Sequence, residues 1–368
     1  MKVLQVINSL LSGGAEKLLV DSIIKYENKG LQVDLLLLYG EKTPFYEYLQ
    51  SRSNVNIISL GDKSFVYNPM FALRLNKYLK RYDIVHVHLF PSLYWVALAN
   101  LISLKKHKIV LTEHSSSNKR RNHSFFRTVD RIIYKQFNKI ITISNSVNDN
   151  LQNHLGSKFT MVHKIYNGID LEAIRTAKEY DKSELGLDKD TKLVIQVSSF
   201  RYPKDQETVI KAISKLPENV NLLLVGDGEL RKKCEELSEK LRIQQRVYFL
   251  GIRSDVPRLL KTSDIVVLSS HYEGLSLSSV EGMASGKPFI ATSSPGLKEV
   301  VENAGRLFPI GDVSALVKEI SSLLDDSVHY NEIVYSCQKK AKLFDIEIMT
   351  DKYIEVYKEI IKNPKQQI

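Results

Sequence analysis

The sequence predicts an α/β protein built from two doubly wound, Rossmann-like domains. Three observations carry this. Short runs rich in Val, Ile and Leu alternate with helical patterns along the whole chain, the signature of parallel sheets covered by helices on both faces. The rhythm pauses around Tyr166-Asn167-Gly168-Ile169-Asp170 and then repeats. The 368 residues are enough for two separate cores.

In the first half, strands are expected at 2–7, 32–39, 84–88, 108–113 and 139–144, and helices at 14–29, 69–81, 92–104 and 125–137. The opening run reads as a buried first strand and not as a signal peptide. Gln5 and Asn8 break its apolar stretch, and a single Lys precedes it. In the second half, strands are expected at 192–197, 221–225, 247–250, 265–268, 288–291 and 305–308, with helices between them. The charged stretch 178–190 suits the entry to the second domain. The expected division is 1–167, 168–345, and a C-terminal helix within 346–368 that crosses back to the first domain. Ligands of such folds bind beyond the carboxyl ends of the strands.

No apolar run approaches the ~20 residues needed to span a bilayer; residues 93–103 come nearest. Cys234 and Cys337 stand far apart, form no metal or redox motif, and fit a reducing cytoplasm. Charge is uneven. Residues 1–170 hold 23 Lys/Arg and 12 Asp/Glu, a net of +11, whereas the remainder has a net of −1. A basic first half suggests an anionic partner there: a membrane surface, a phosphate-bearing substrate or a nucleic acid. No nucleic-acid-binding module is recognisable, and no nucleic acid is expected as partner.

Glu273 and Glu281 are the most informative pair. They bracket Gly274-Leu275-Ser276-Leu277-Ser278-Ser279-Val280. Eight steps of about 100° return to nearly the same helix face, so both carboxylates are expected to look the same way, with Glu273 at the mouth of the helix. The backbone N–H groups near Gly274, Leu275, Ser276 and Leu277 then form an N-terminal phosphate cradle. Carboxylates for hydroxyls and amides for a diphosphate suit a nucleotide-sugar.

Four further segments follow strand ends. Ser12-Gly13-Gly14 opens the first helix, without the full G-x-G-x-x-G pattern of dinucleotide binding. His86, His88 and His114 sit at strand ends and lack the HExxH spacing of a zinc site. Arg201 and Lys204 follow the strand at 192–197, where two cations can neutralise a diphosphate. Gly226-Asp227-Gly228 follows the next strand. Asp188-Lys189-Asp190 formally matches the D-x-D of metal-dependent sugar transferases, but it lies in a charged connector and reads as a solvated turn.

These residues, in this order, resemble the retaining nucleotide-sugar glycosyltransferases of family 4, which have the GT-B architecture of two Rossmann-like domains facing across a cleft. The resemblance spans essentially the whole chain. It rests on Gly13-Gly14, Asn167-Gly168-Ile169-Asp170, Lys204-Asp205, Val225-Gly226-Asp227-Gly228, Phe249-Leu250-Gly251 with Asp255-Val256, and the Glu273/Glu281 box followed by Gly286-Lys287-Pro288. It implies that Glu281 holds the donor ribose and that Glu273 contacts the donor sugar. Gly274, Leu275, Ser276 and Leu277 offer N–H groups, and Gly226, Asp227 and Gly228 belong to the same donor-binding set. Lys204 neutralises the departing diphosphate, and backbone near Ile252 and Arg253 meets the base. His114 reaches toward the transferred sugar, and Gly14 approaches phosphate or acceptor. Two positions depart from the family. Ser199 stands where an Arg is common, so Arg201 becomes the candidate second cation. Ser276 replaces a frequent Pro and restores a backbone donor.

The implied activity is retaining transfer of a sugar from a nucleotide-sugar, UDP by family habit, to a saccharide or lipid-linked saccharide in bacterial envelope polysaccharide synthesis. No cofactor or metal is implied, the nucleotide-sugar being a co-substrate. A cytoplasmic location is expected, with possible peripheral contact between the basic segments, Phe125 and Phe126 and an anionic membrane. The rival enzyme on this architecture, a non-hydrolysing nucleotide-sugar epimerase, needs added acid/base carboxylates; the rival from another class, a basic nucleic-acid-binding protein, explains the charge of the first half but not Glu273 and Glu281.

Overall fold

The computed structural model describes residues 1–11, 13–63, 66–115, 124–156, 161–273 and 275–362. The chain divides into two compact units, one of residues 1–168 with 346–368 and the other of residues 169–345. The first unit contains β1 (Lys2–Ile7), α1 (Gly14–Asn28), β2 (Gln32–Tyr39), α2 (Pro44–Arg52), β3 (Asn56–Gly61), α3 (Met70–Leu79) and β4 (Ile84–His88). It continues through α4 (Ser92–Ile102), β5 (Ile109–Glu113), α5 (Ser124–Tyr134), β6 (Lys139–Thr142), α6 (Asn145–Leu155) and β7 (Val162–Lys164). The second contains α7 (Leu171–Thr176), β8 (Lys192–Val197), α8 (Gln206–Ile213), β9 (Val220–Val225), α9 (Arg231–Lys240), β10 (Val247–Gly251), α10 (Val256–Thr262) and β11 (Ile265–Leu268). It ends with α11 (Leu277–Ala284), β12 (Phe289–Thr292), α12 (Leu297–Val301), β13 (Arg306–Phe308), α13 (Val313–Asp325) and α14 (Ser327–Ala341). α15 (Ile346–Lys362) then returns to the first unit.

Both sheets are parallel. Their orders are β3-β2-β1-β4-β5-β6-β7 and β10-β9-β8-β11-β12-β13, each reversing direction once, between β1 and β4 in the first sheet and between β8 and β11 in the second. The helices on both faces follow from the right-handed crossovers that parallel strands require. β3 and β7 are the two edges of the first sheet, and the sequence reading anticipates neither. No residue of β3 or β7 is fully buried, so neither shows the continuous apolar run of an inner strand.

The two faces of the first sheet differ in chemistry. Leu4, Val6, Val85, Val87, Ile109 and Leu111 pack against Phe71, Leu75, Leu93 and Val96 in one apolar core. By the strand's two-residue period, Gln5, His86, His88 and Thr112 point to the opposite face. All four are buried, beneath Tyr26 of α1 and Tyr353 and Tyr357 of α15. α15 is pinned by Lys25 and Lys29 to Glu347, by Lys29 to Asp351 and by Lys139 to Glu359. In the second unit, Val194, Leu222, Leu224, Val267 and Ile290 pack against Val209, Ile213, Leu316 and Ile320. On the other side, Gly282 lets α11 lie directly on the sheet. A Cβ there would come within 2.6 Å of the Phe289 ring and 2.9 Å of Val266. No helix among the described residues is long and apolar enough to cross a membrane.

Candidate active site

In a doubly wound sheet the loops on either side of the strand-order reversal diverge and leave a crevice at the carboxyl ends. In the second unit those loops follow β8 and β11, and they carry Lys204 and Glu273. The two side chains form a close ion pair, Lys204 Nζ donating to Glu273 Oε1, with only 14% and 13% of their surfaces exposed.

The β8 loop is held from several sides. Ser198 N donates to Val225 O at 2.9 Å and Phe200 N to Asp227 O at 3.0 Å. Gln206 Nε2 reaches Ser199 O at 3.0 Å and Ser198 Oγ at 3.0 Å, while Gln196 Nε2 reaches the same hydroxyl at 2.9 Å. Both glutamines are buried. Asp205 caps α8 through Thr208 N and accepts from Ser269 Oγ, tying the β8 loop to the end of β11. His271 N donates to Pro203 O at 2.9 Å. The Tyr202 ring stacks on His271 at 5.6 Å and meets Tyr272 edge-on at 5.8 Å. Lys204 is therefore positioned by the backbone and by its carboxylate partner. Arg201 is exposed.

Glu273 corrects the expectation drawn from the eight-residue spacing. α11 begins at Leu277, with Ser276 as its cap, so Glu273 lies before the helix and the helical periodicity does not relate it to Glu281. What fixes Glu273 is Lys204, together with the bond from its own N–H to Pro295 O at 3.2 Å. Glu281 sits half-buried within α11. Leu277 and Ser278 are the first helical residues, whose N–H groups have no acceptor inside the helix. Leu275 and Ser276 are buried, and Gly274 lies outside the described residues.

Gly226 follows β9 with φ of +133°, and a Cβ there would lie 2.2 Å from Ser198 O. Only glycine lets the β8 and β9 loops touch in this way. Asp227 accepts from Gly228 N at 2.7 Å and from Arg231 at 3.3 Å. Ile252 is 77% exposed after β10. The Arg253 guanidinium is taken by Asp255 at 2.8 and 2.6 Å, which holds the Asp255 carboxyl well below its usual range. Ile252 and Arg253 both remain exposed, with the Arg253 guanidinium occupied by Asp255. Asp188 and Asp190 are exposed in a turn before β8.

In the first unit, Gly14 is the exposed first residue of α1. The Glu16 carboxylate lies against Gly13, so this helix N-terminus has an anion of its own. His114, just past β5, shares a hydrogen bond with His88 at 3.1 Å, and His88 meets Gln5 Oε1 at 2.9 Å. His86 bonds Tyr357 at 2.6 Å and Thr112 at 2.7 Å, and Thr112 bonds Tyr353 at 3.1 Å. Burial pushes His86 down to about 3 and His114 to about 4, and pushes His88 well below the usual histidine range; neighbouring imidazoles add to the effect on His86 and His88. All three are neutral near pH 7. The sequence reading misses Gln5, Tyr353 and Tyr357. The available signals were one amide inside an aliphatic strand and two tyrosines four residues apart on one helix face.

The family described as Glycosyltransferase Family 4 matches residues 12–173, and that described as Glycosyl transferases group 1 matches residues 177–341. The N-acetyl-alpha-D-glucosaminyl L-malate synthase of Bacillus anthracis is 29% identical over 292 residues, 77% of this chain and 76% of that protein. The UDP-Gal:alpha-D-GlcNAc-diphosphoundecaprenol alpha-1,3-galactosyltransferase of Escherichia coli is 26% identical over 356 residues, 90% of each. The solved structure of Anabaena HepE in complex with UDP-glucose superposes with a TM-score of 0.84 at 24% identity, over 98% of this chain and 100% of that one. The two family matches adjoin and leave few residues uncovered, and the fold agrees throughout: the chain belongs to the family 4 glycosyltransferases and has their two-domain GT-B fold.

Proposed function

We propose that the protein transfers a sugar, with retention of anomeric configuration, from a UDP-sugar to a hydroxyl of a saccharide or lipid-linked saccharide used in a bacterial envelope polymer. The observation that carries this reading is the Lys204–Glu273 pair at the strand-order reversal of the second unit, beside the start of α11. A cation, a carboxylate and first-turn N–H groups meet the needs of a glycosyl diphosphate: charge neutralisation for the leaving group and acceptors for sugar hydroxyls.

On this reading residues 169–345 bind the donor, and residues 1–168 with 346–362 bind the acceptor. Glu281 holds the ribose, Glu273 the sugar, and the backbone at Ile252 and Arg253 the base. Gly226, Asp227 and Gly228 shape the donor loop beside Ser199. Lys204, with Arg201 as the second cation, stabilises the diphosphate as the anomeric C–O bond breaks. The acceptor oxygen forms the new bond on the same face, and its proton passes to the departing phosphate oxygen. No carboxylate nucleophile is assigned. His114 is assigned to a hydroxyl of the transferred sugar, and Gly14 to the acceptor side. Fixed positive groups supply the stabilisation, so the reaction is metal-independent. Relatives named for diphosphoundecaprenol-linked substrates, including one from Campylobacter jejuni, support the acceptor class.

A lipid-linked acceptor also favours a location at the inner face of the membrane. Phe125 and Ile132 of α5 are 71% and 54% exposed, with Arg127 and Arg131 exposed on the same helix and Lys135 exposed just past its end. Exposed Leu101, Ile102 and Leu104 lie at the end of the neighbouring α4. Lys108 and Lys139 do not join this surface. They face α15, bonding Ile361 O and Glu359. Lys119, Arg120 and Arg121 lie outside the described residues.

Thermal melts with UDP, GDP and ADP, followed by a mass-detected hydrolysis screen of nucleotide-sugars, test the donor. Stabilisation by UDP alone and release of UDP from one sugar donor are expected. A product formed from the nucleotide-sugar without an acceptor and without UDP release would make the protein an epimerase.

A further inference from the structure

The polar stripe in the first unit has an internal logic that fixes the chemistry of His114. Gln5, His88 and His114 come from three adjacent strands or strand ends, β1, β4 and β5. Their bonds run in series: Gln5 Oε1 to His88 Nε2, then His88 Nδ1 to His114 Nε2. A neutral imidazole has one N–H and one bare nitrogen. The Gln5 amide turns its oxygen toward His88, with its nitrogen 3.5 Å from the Tyr357 hydroxyl. His88 must then carry its proton on Nε2, leaving Nδ1 as acceptor. His114 must donate from Nε2, and its Nδ1 is left bare. His114 Nδ1 is buried and without a hydrogen-bond partner among the described residues. The cavity beside these rings, lined by Gln5, His86, His88 and His114 with Ala15 and Tyr353, is too small for more than about one water.

We propose that Gln5 and His88 are positioning residues that lock His114 in its Nε2–H tautomer, presenting Nδ1 as an acceptor for a sugar hydroxyl of the bound donor. The acceptor role rests on the assignment of His114 to the transferred sugar made under Proposed function. The tautomer lock stands on the geometry of the first unit. It makes the site selective: a hydroxyl donates to Nδ1, whereas a carbonyl or carboxylate oxygen at that place meets a bare lone pair and is rejected.

The test is long-range proton–nitrogen NMR of the full chain labelled at its nine histidines, with His114→Gln to assign the resonance. Wild-type protein is expected to show His114 protonated on Nε2 and bare on Nδ1. Protonation on Nδ1 overturns the proposal without recourse to any variant. Gln5→Leu and His88→Leu are expected to mix the two tautomers, while His88→Asn, which keeps an acceptor oxygen facing His114, restores the single one. An unchanged tautomer in a folded His88→Leu variant also overturns it. UDP-, GDP- and ADP-hexoses are then titrated in. A shift of the Nδ1 resonance with the sugar nucleotide, absent with the free nucleoside diphosphate, supports the acceptor role. Loss of the donor's turnover by about tenfold in Gln5→Leu, with KM little changed, is the matching kinetic outcome. If the locked tautomer is present but no sugar nucleotide that the protein turns over moves His114, the sugar contact itself is refuted, and the acceptor role falls with it.

Discussion

Replacing Lys204 by Met removes a cation from a carboxylate that is largely shielded from water. At 14% and 13% exposure, the pair lies nearer to the buried limit, where breaking a pair costs about 3–5 kcal/mol, than to the exposed limit of about 0–1. A loss of about 2 kcal/mol is expected for Lys204→Met. Glu273→Gln in that background removes the orphaned charge, so the double variant should be more stable than the single by at least about 1 kcal/mol. The same logic governs ligand affinity. Without Lys204, the Glu273 carboxylate repels the diphosphate. UDP affinity should fall steeply in Lys204→Met and recover in part in the Lys204→Met/Glu273→Gln double variant. Turnover should not recover, since both the leaving-group cation and the sugar contact are gone, and a loss on the order of 10²–10³ is expected. Urea unfolding gives the first coupling, calorimetry with UDP the second, and mass-detected turnover the third. Strictly additive losses in both stability and UDP affinity would show that the pair neither holds the loops nor shapes the donor site.

Glu281→Ala should lower kcat/KM for the donor by roughly 10- to 100-fold with the fold intact, as expected for a lost charge-assisted bond to the ribose; wild-type kinetics would remove the ribose role. Activity should survive EDTA treatment, and a loss restored by Mn²⁺ or Mg²⁺ would overturn the metal-independent mechanism. Charge reversal at Arg127, Arg131 and Lys135 should weaken salt-sensitive co-sedimentation with anionic liposomes and leave UDP affinity unchanged; equal recovery on neutral vesicles would end the membrane reading. The depressed His86 and His114 set a pH dependence of stability. Below about pH 6.5 the unfolded chain binds protons that the folded chain refuses, so this stability is fully present above about 6.5 and is lost as pH falls, to about 4 for His114 and about 3 for His86. Urea unfolding across that window should steepen with acid and flatten in His114→Gln; equal slopes would mean that His114 is not held neutral.

The inner strands were legible because they must be apolar on both faces, as at Leu35–Leu38, where the chain has no other use for four consecutive leucines. The edges β3 and β7 were not, because a strand with one open side can carry Asn56, Ser59 or His163 at little cost. Most of the second unit's candidate site residues could be placed from the sequence in loops after strands. The Lys204–Glu273 pair was not: 69 positions separate its members, and only the order of strands brings them together. The start of α11 was misplaced because Ser276, Ser278 and Ser279 all offer a cap, Ser276 makes no side-chain capping bond, and no proline marks the first turn. The polar stripe was hidden for a related reason. Gln5, His86 and Tyr357 each look anomalous alone, and their mutual satisfaction appears only once three strands and a distant helix are assembled.

That distant helix also orders events during synthesis. α15 completes the unit to which the first 168 residues belong, yet it is translated after all of residues 169–345. As the chain leaves the ribosome, the first sheet can form with its aliphatic face covered by α3, α4 and α5, but Gln5, His86 and Thr112 still lack Tyr353 and Tyr357. The second unit, contiguous in sequence, has every segment it needs before α15 is made. The half of the protein made first is therefore the last to be finished, and a nascent chain halted before residue 346 carries one complete domain and one whose buried polar groups remain open to water.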